Sequence, residues 1–154
     1  MPNHSGDAQA WAGPVLVFDG GCPFCSHFAE RSALASGIAG LQIVDGRSNV
    51  ALRRRLARQG FRLRNGAMVL DGEHVLHGAA AIQWLCNRMQ PSDALLSLLA
   101  PLFARPERAR ALYPLLLAAR AVALGIRRLP IDPDRADPAS ELGLAATTAA
   151  LPRC

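Results

Sequence analysis

The chain contains no lysine; all 17 of its basic residues are arginine. With the high alanine and leucine content, this marks a compositional bias rather than a selected chemistry. Aromatic residues are only 5% of the chain, and only Phe61 and Tyr113 fall among the arginines of 53–64 and 105–128. So few aromatics argue against a nucleic-acid partner, whose bases need stacking platforms. The plainer reading of the arginine runs is a solvated helix face. Contact with an anionic partner or a membrane surface is left open by the net charge of +5.

Cysteine is also scarce. Four residues, Cys22, Cys25, Cys86 and Cys154, are too few and too unevenly placed for a secreted disulfide framework. Met1 to Gly13 lacks a basic start, a continuous apolar run and a cleavage site, so no signal peptide is visible. The most apolar stretches, 94–104 and 111–126, are interrupted by Arg105, Arg108, Arg110 and Arg120. No uncharged run reaches the roughly 18 residues that a spanning helix needs. A reducing cytoplasm is therefore the expected location. No internal repeat is apparent.

At 154 residues the chain is long enough to bury one core without staples. Residues 1–13 read as a flexible leader. Val15–Phe18 is a short apolar run suited to a buried strand, ended by Gly20-Gly21. Phe24 to Ala35 reads as a helix, with Pro23 in the first turn, where a missing N–H costs nothing. Leu41–Val44 is a second strand. Ser48 or Asn49 caps a helix running to Gln59, with Leu52 and Leu56 inward and arginines opposite. Ala67–Leu70 and His74–Leu76 flank Asp71-Gly72-Glu73, a strong hairpin signal. A helix from Ala79 to Met89 then buries Ile82, Leu85, Cys86 and Met89.

Strand, helix, strand, helix, hairpin and helix in that order describe an α/β fold of thioredoxin-like topology. It is a mixed four-stranded sheet built from a βαβ unit and a β-hairpin, flanked by helices. Two more helices, from Pro91 to Phe103 and from Pro106 to Arg128 with a kink at Pro114, form a C-terminal helical extension over 91–128. They belong to the domain of 14–128, being too short to bury a core alone. The Pro- and Ala-rich residues 129–154 are expected to be a disordered tail.

Chemistry concentrates in Asp19-Gly20-Gly21-Cys22-Pro23-Phe24-Cys25. An apolar strand delivers Cys22 to a helix N-terminus, where unpaired N–H groups and the helix dipole favour a thiolate. Cys25 lies one turn on, on the same face, and can resolve a mixed disulfide. An exposed Cys22 nucleophile with Cys25 as its partner is the redox expectation. A structural zinc would need four ligands. No second C-x-x-C is present, and His27, His74 and His77 are left as an incomplete set. Ser26 after Cys25 rules out a c-type haem attachment. Gly21, where a second carboxylate would stand, removes an aspartyl phosphotransferase. Asp19 either exchanges protons near Cys25 or holds the glycine turn. Cys86 reads as a small core hydrophobe and Cys154 as a terminal thiol. No cofactor or bound metal is expected.

Asp19-x-x-Cys22-x-x-Cys25 after an apolar strand resembles the signature of the DCC family, named for its Asp-Cys-Cys motif. Ala67-Met-Val-Leu-Asp71-Gly is similar to that family's hairpin, and His77-Gly78-Ala79-Ala80-Ala81-Ile82 to its glycine-led helix start. Tyr113, Arg120 and Gly125 fall where its C-terminal helix carries a Tyr, an Arg and a Gly. The resemblance implies a thioredoxin-like fold and thiol-disulfide oxidoreductase activity. Cys22 and Cys25 would be redox-active, and Asp19 would be the third catalytic-site residue. It also implies a disulfide-containing protein or small-thiol substrate, with electrons from a thioredoxin- or glutathione-type system. Unlike thioredoxins and glutaredoxins, the chain has Arg64-Asn65-Gly66 and no proline before the hairpin. The rival class is a non-enzymatic module, either a metal-holding dithiol or an adaptor using the leucine-rich helices.

Overall fold

The computed structural model describes residues 11–35, 37–90 and 94–135. The expected leader up to residue 10, the helix start at 91–93 and the tail from 136, Cys154 included, lie outside the described residues. Four strands, β1 (Val15–Phe18), β2 (Gln42–Asp45), β3 (Met68–Asp71) and β4 (His74–His77), form one open mixed sheet in the order β2-β1-β3-β4. β1 runs parallel to β2 and antiparallel to β3, and β3 and β4 make the hairpin. The helices are α1 (Pro23–Ala35), α2 (Val50–Arg58), α3 (Ala79–Arg88), α4 (Ala94–Phe103) and α5 (Pro106–Ile126). Apart from the start of α4, expected at residues 91–93 outside the described residues, strand and helix boundaries fall within two residues of those read from the sequence.

Alternation along β1 divides the core into two layers. Val15 and Val17 pack with Met68 against Leu52 and Leu56 of α2, together with Leu63. Leu16 points the other way, with Val69, against Ala29 of α1 and Ala81, Trp84 and Leu85 of α3. Burying each such leucine or valine contributes roughly 1.5–3 kcal/mol, which pins β1 at the centre of the sheet. The far side of α3 supplies a third cluster, where Ile82, Cys86 and Met89 meet Leu96 and Phe103 of α4 and Ala109 of α5. The extension thus packs on α3, and α5 continues to α1 and the thiol loop.

Two features differ from the sequence reading. Arg53 does not lie opposite the apolar side of α2; it is buried, donating to the carbonyls of Gly46 and Arg47 and pairing with Asp134 at 2.6 Å. Those oxygens and that carboxylate supply the polar partners a buried guanidinium requires. Pro114 lies inside α5, which runs as one helix from Pro106 to Ile126, in line with the single stretch read from the sequence. Residues 129–135, the described part of the expected tail, are tied down. The Pro130 and Ile131 carbonyls accept hydrogen bonds from Arg47 and Arg120, while Asp132 and Asp134 face Arg64 and Arg53. Proline removes N–H donors from this segment but leaves its carbonyls to be read by arginine.

Candidate functional site

The site forms where β1 ends. The backbone turns at Asp19-Gly20-Gly21, the Cys22 N–H donates to the Asp19 carbonyl at 3.1 Å, and Pro23 opens α1. Both glycines are required by close approach. A Cβ on Gly20 would strike the Asp45 carboxylate, which accepts the Gly20 N–H at 2.9 Å, and one on Gly21 would run into Arg47 and Leu129. The turn therefore brings backbone flush against three neighbouring side chains. That contact fixes where Cys22 enters the helix.

Cys22, Cys25 and Asp19 come together as expected from the motif. The Cys25 N–H points at Cys22 Sγ, 3.4 Å away. A hydrogen bond from the Cys25 thiol is the largest influence on Cys22. Burial opposes it, the N–H groups of Cys25 and Phe24 add to it, and the Asp19 charge works against it, lowering the Cys22 pKa to about 6. The Cys25 thiol moves the other way. Its hydrogen bond to Cys22, its burial and the charge on Cys22 all hold its proton on. One sulfur is set up as a thiolate and its neighbour as the donor that steadies it.

Exposure departs from expectation. Cys22 has 0% of its surface exposed, beneath Ala123 and Leu124 of α5 and Leu129, while Cys25 is half-buried. The cause is the extension: α5 and the segment after it close over the loop. Of the side chains that cover it, Leu129 is partly exposed whereas Ala123 and Leu124 are buried.

Asp19 is buried and fully engaged. Its Oδ1 accepts from Arg47 Nε at 2.6 Å and from the Gly21 N–H at 3.0 Å. Its Oδ2 accepts from Arg120 Nη2 at 2.6 Å and from Arg120 Nε and Arg47 Nη2, each at 3.0 Å. Burial raises the Asp19 pKa, but the two arginines outweigh it and hold the carboxyl below its ordinary value. This is the geometry of a turn-holding residue, with its oxygens committed to donors. Arg120 also reaches the Arg64 and Ile131 carbonyls, so one guanidinium ties α5 to the thiol loop, the turn before β3 and the C-terminal segment.

Tyr113 stands next along α5. Its hydroxyl donates to the Asn65 carbonyl at 3.0 Å, burial pushes its pKa up to about 12, and its ring fills the space that glycine leaves at positions 66 and 78. Cys86 lies in the α3–α4–α5 core, where burial alone raises its pKa to about 11. The three described cysteines are free thiols. His27, His74 and His77 do not gather with cysteines or carboxylates into a set of three metal ligands among the described residues.

Sequence reasoning missed Arg47, Leu129, Asp132 and Asp134 as parts of the site, and it read Arg120 only through a resemblance. A signal for Arg120 was present. It is the one charge between 111 and 126, and an arginine alone in such a run needs a buried anion. Comparison with protein-family models, curated proteins and solved structures finds no match to this chain.

Proposed function

We propose that the chain is a cytoplasmic thiol-disulfide oxidoreductase of thioredoxin-like build, of the kind the DCC resemblance implies. The observation that carries the reading is Cys22 Sγ at the start of α1, hydrogen-bonded by the N–H and thiol of Cys25 one turn later. A thiol titrating at about 6 is mostly thiolate at neutral pH.

The Cys22 thiolate attacks one sulfur of a substrate disulfide R–S–S–R′. A Cys22–S–S–R bond forms and R′S⁻ leaves, taking a proton from water. Conversion of Cys22 to a neutral disulfide removes both its charge and its demand for the Cys25 hydrogen bond, two of the causes that hold the Cys25 proton on. The Arg120 charge, which favours a Cys25 thiolate, is left to act. Cys25 then loses its proton to water and attacks Cys22 Sγ, displacing RS⁻ and closing the Cys22–Cys25 disulfide. Two electrons pass from the dithiol to the substrate. A thiol or dithiol of the glutathione or thioredoxin type restores the reduced pair. Asp19 acts in this scheme as a positioning residue that fixes the turn through Arg47 and Arg120. Leu129 must withdraw for substrate to reach Cys22.

Trapping tests the reading. Incubated with glutathione disulfide, the Cys25→Ser protein should accumulate a glutathione adduct mapped to the Cys22 peptide, since the resolving thiol is gone. The parent should release reduced glutathione and end as an internal Cys22–Cys25 disulfide. Equal turnover by Cys22→Ser and the parent would overturn the assignment.

A further inference from the structure

Between the charged ends of α5, the outer side of α4 and of residues 111–126 carries no charge. Residues 94–104 contain no charged side chain, and in 111–126 the only one is Arg120, which is 5% exposed and turned inward to Asp19. Large apolar side chains stand outward instead. Leu98 on α4 is 63% exposed, and Leu115, Val122 and Ile126 on α5 are 67%, 64% and 79% exposed. Leu115, Val122 and Ile126 recur at spacings of seven and four, one row along the helix, while Ala109, Ala123 and Leu124 face the protein. Two adjoining helices thus show apolar faces to solvent, which marks an interaction surface.

Arginines frame this surface. Arg105, Arg108 and Arg110 stand exposed at the start of α5, with the single acid Glu107 among them, and Arg127 and Arg128 are exposed at its end. Pairing α5 with a second copy, antiparallel or parallel, would set arginines of one copy against arginines of the other. An anionic partner meets both ends favourably. α5 is long and apolar enough to cross a bilayer by length and composition. Its inner face, however, is packed on α3 and α4, and Arg120 is locked in a buried ion pair. The helix is built to lie along a surface rather than to span it.

From this framing we infer that the outer faces of α4 and α5 dock on an anionic lipid surface. The apolar row enters the headgroup boundary, and the flanking arginines meet lipid phosphates. The inference is independent of the redox reading. It does add a consequence, because Cys22 packs on the inner face of the same helix: docking would hold the dithiol beside the membrane.

Cosedimentation of the full chain with vesicles tests it. The chain should pellet with vesicles of phosphatidylglycerol and phosphatidylcholine and remain in solution with phosphatidylcholine alone. Val122→Glu with Ile126→Glu should abolish pelleting. Arg108→Gln with Arg110→Gln, two exposed changes that leave the core untouched, should weaken it by about tenfold or more. Glutathione-disulfide reduction in solution should be the same for all three proteins. Failure of the parent to pellet with anionic vesicles would overturn the inference, as would unchanged pelleting of the glutamate variant. So would light scattering that shows a dimer which the glutamate variant converts to monomer, since that assigns the face to self-association.

Discussion

Cys22 and Cys86 are both buried cysteines, yet they are driven in opposite directions. At the start of α1, Cys22 meets the Cys25 thiol and the N–H groups of Phe24 and Cys25, and its pKa falls to about 6. Inside α3, Cys86 meets Ile82, Met89, Leu96 and Phe103, and burial lifts its pKa to about 11. Burial opposes ionisation at both places. What separates them is whether hydrogen-bond donors point at the sulfur, and a helix supplies spare backbone donors only at its first turn. The contrast locates the chemistry: depth in the fold does not make a thiol reactive, but position along a helix does.

Substitution gives the widest separation between the two sites. Cys22→Ser should drop disulfide reduction to the uncatalysed background, whereas Cys86→Ala should leave turnover unchanged and cost about 1 kcal/mol in urea unfolding. The support beneath Cys22 comes next. Asp19→Asn keeps the shape but leaves Arg47 and Arg120 facing a neutral amide in a buried site, with an expected loss of roughly 3–5 kcal/mol in denaturant titration. Among the described residues, Cys86 lies in an apolar cluster instead. A loss below about 1 kcal/mol would show that the ion pairs are not what holds the turn.

Acidity gives a further separation. The Cys22 thiol is more acidic in the folded protein than in the unfolded chain, where it titrates near the ordinary value of 9.0. Its contribution to stability is therefore complete above about pH 9 and is lost as pH falls toward about 6. Reduced parent should become less stable over that window by an amount on the order of a few kcal/mol, and Cys22→Ser should lack this component. Access is the smallest difference. Asp132→Asn should loosen the segment that carries Leu129 and speed alkylation of Cys22 by about fivefold, because a partly exposed ion pair such as Arg64–Asp132 contributes only about 1 kcal/mol. Alkylation of Cys86, covered by helices rather than by that segment, should not change.

Much of this arrangement is legible in the sequence because it is local. Pro23 at the first turn of α1, Asn49 capping α2 through the Leu52 N–H, and Asp71-Gly72 between two apolar runs each act over a few residues. The turn-holding reading of Asp19 likewise needs only Gly21, two residues on. What was not legible depends on chain segments far apart. Arg120 reaches Asp19 across 101 positions and Arg53 reaches Asp134 across 81, and no periodicity announces such pairs. The burial of Cys22 has the same origin. A helix start reads as exposed until another helix is laid across it, and α5 and Leu129 come from the other end of the domain. Proline-rich composition misleads at 129–135, since arginine side chains hold that segment by its carbonyls rather than by a repeating backbone pattern.

The central claim is that the first turn of α1 makes Cys22 a thiolate at neutral pH. It is tested most directly by titrating the ultraviolet thiolate absorbance of the reduced parent and subtracting that of Cys22→Ser. The difference should rise with a midpoint near pH 6, far below any component that Cys86→Ala removes. A difference titration centred near pH 9 would make Cys22 an ordinary thiol and contradict the account.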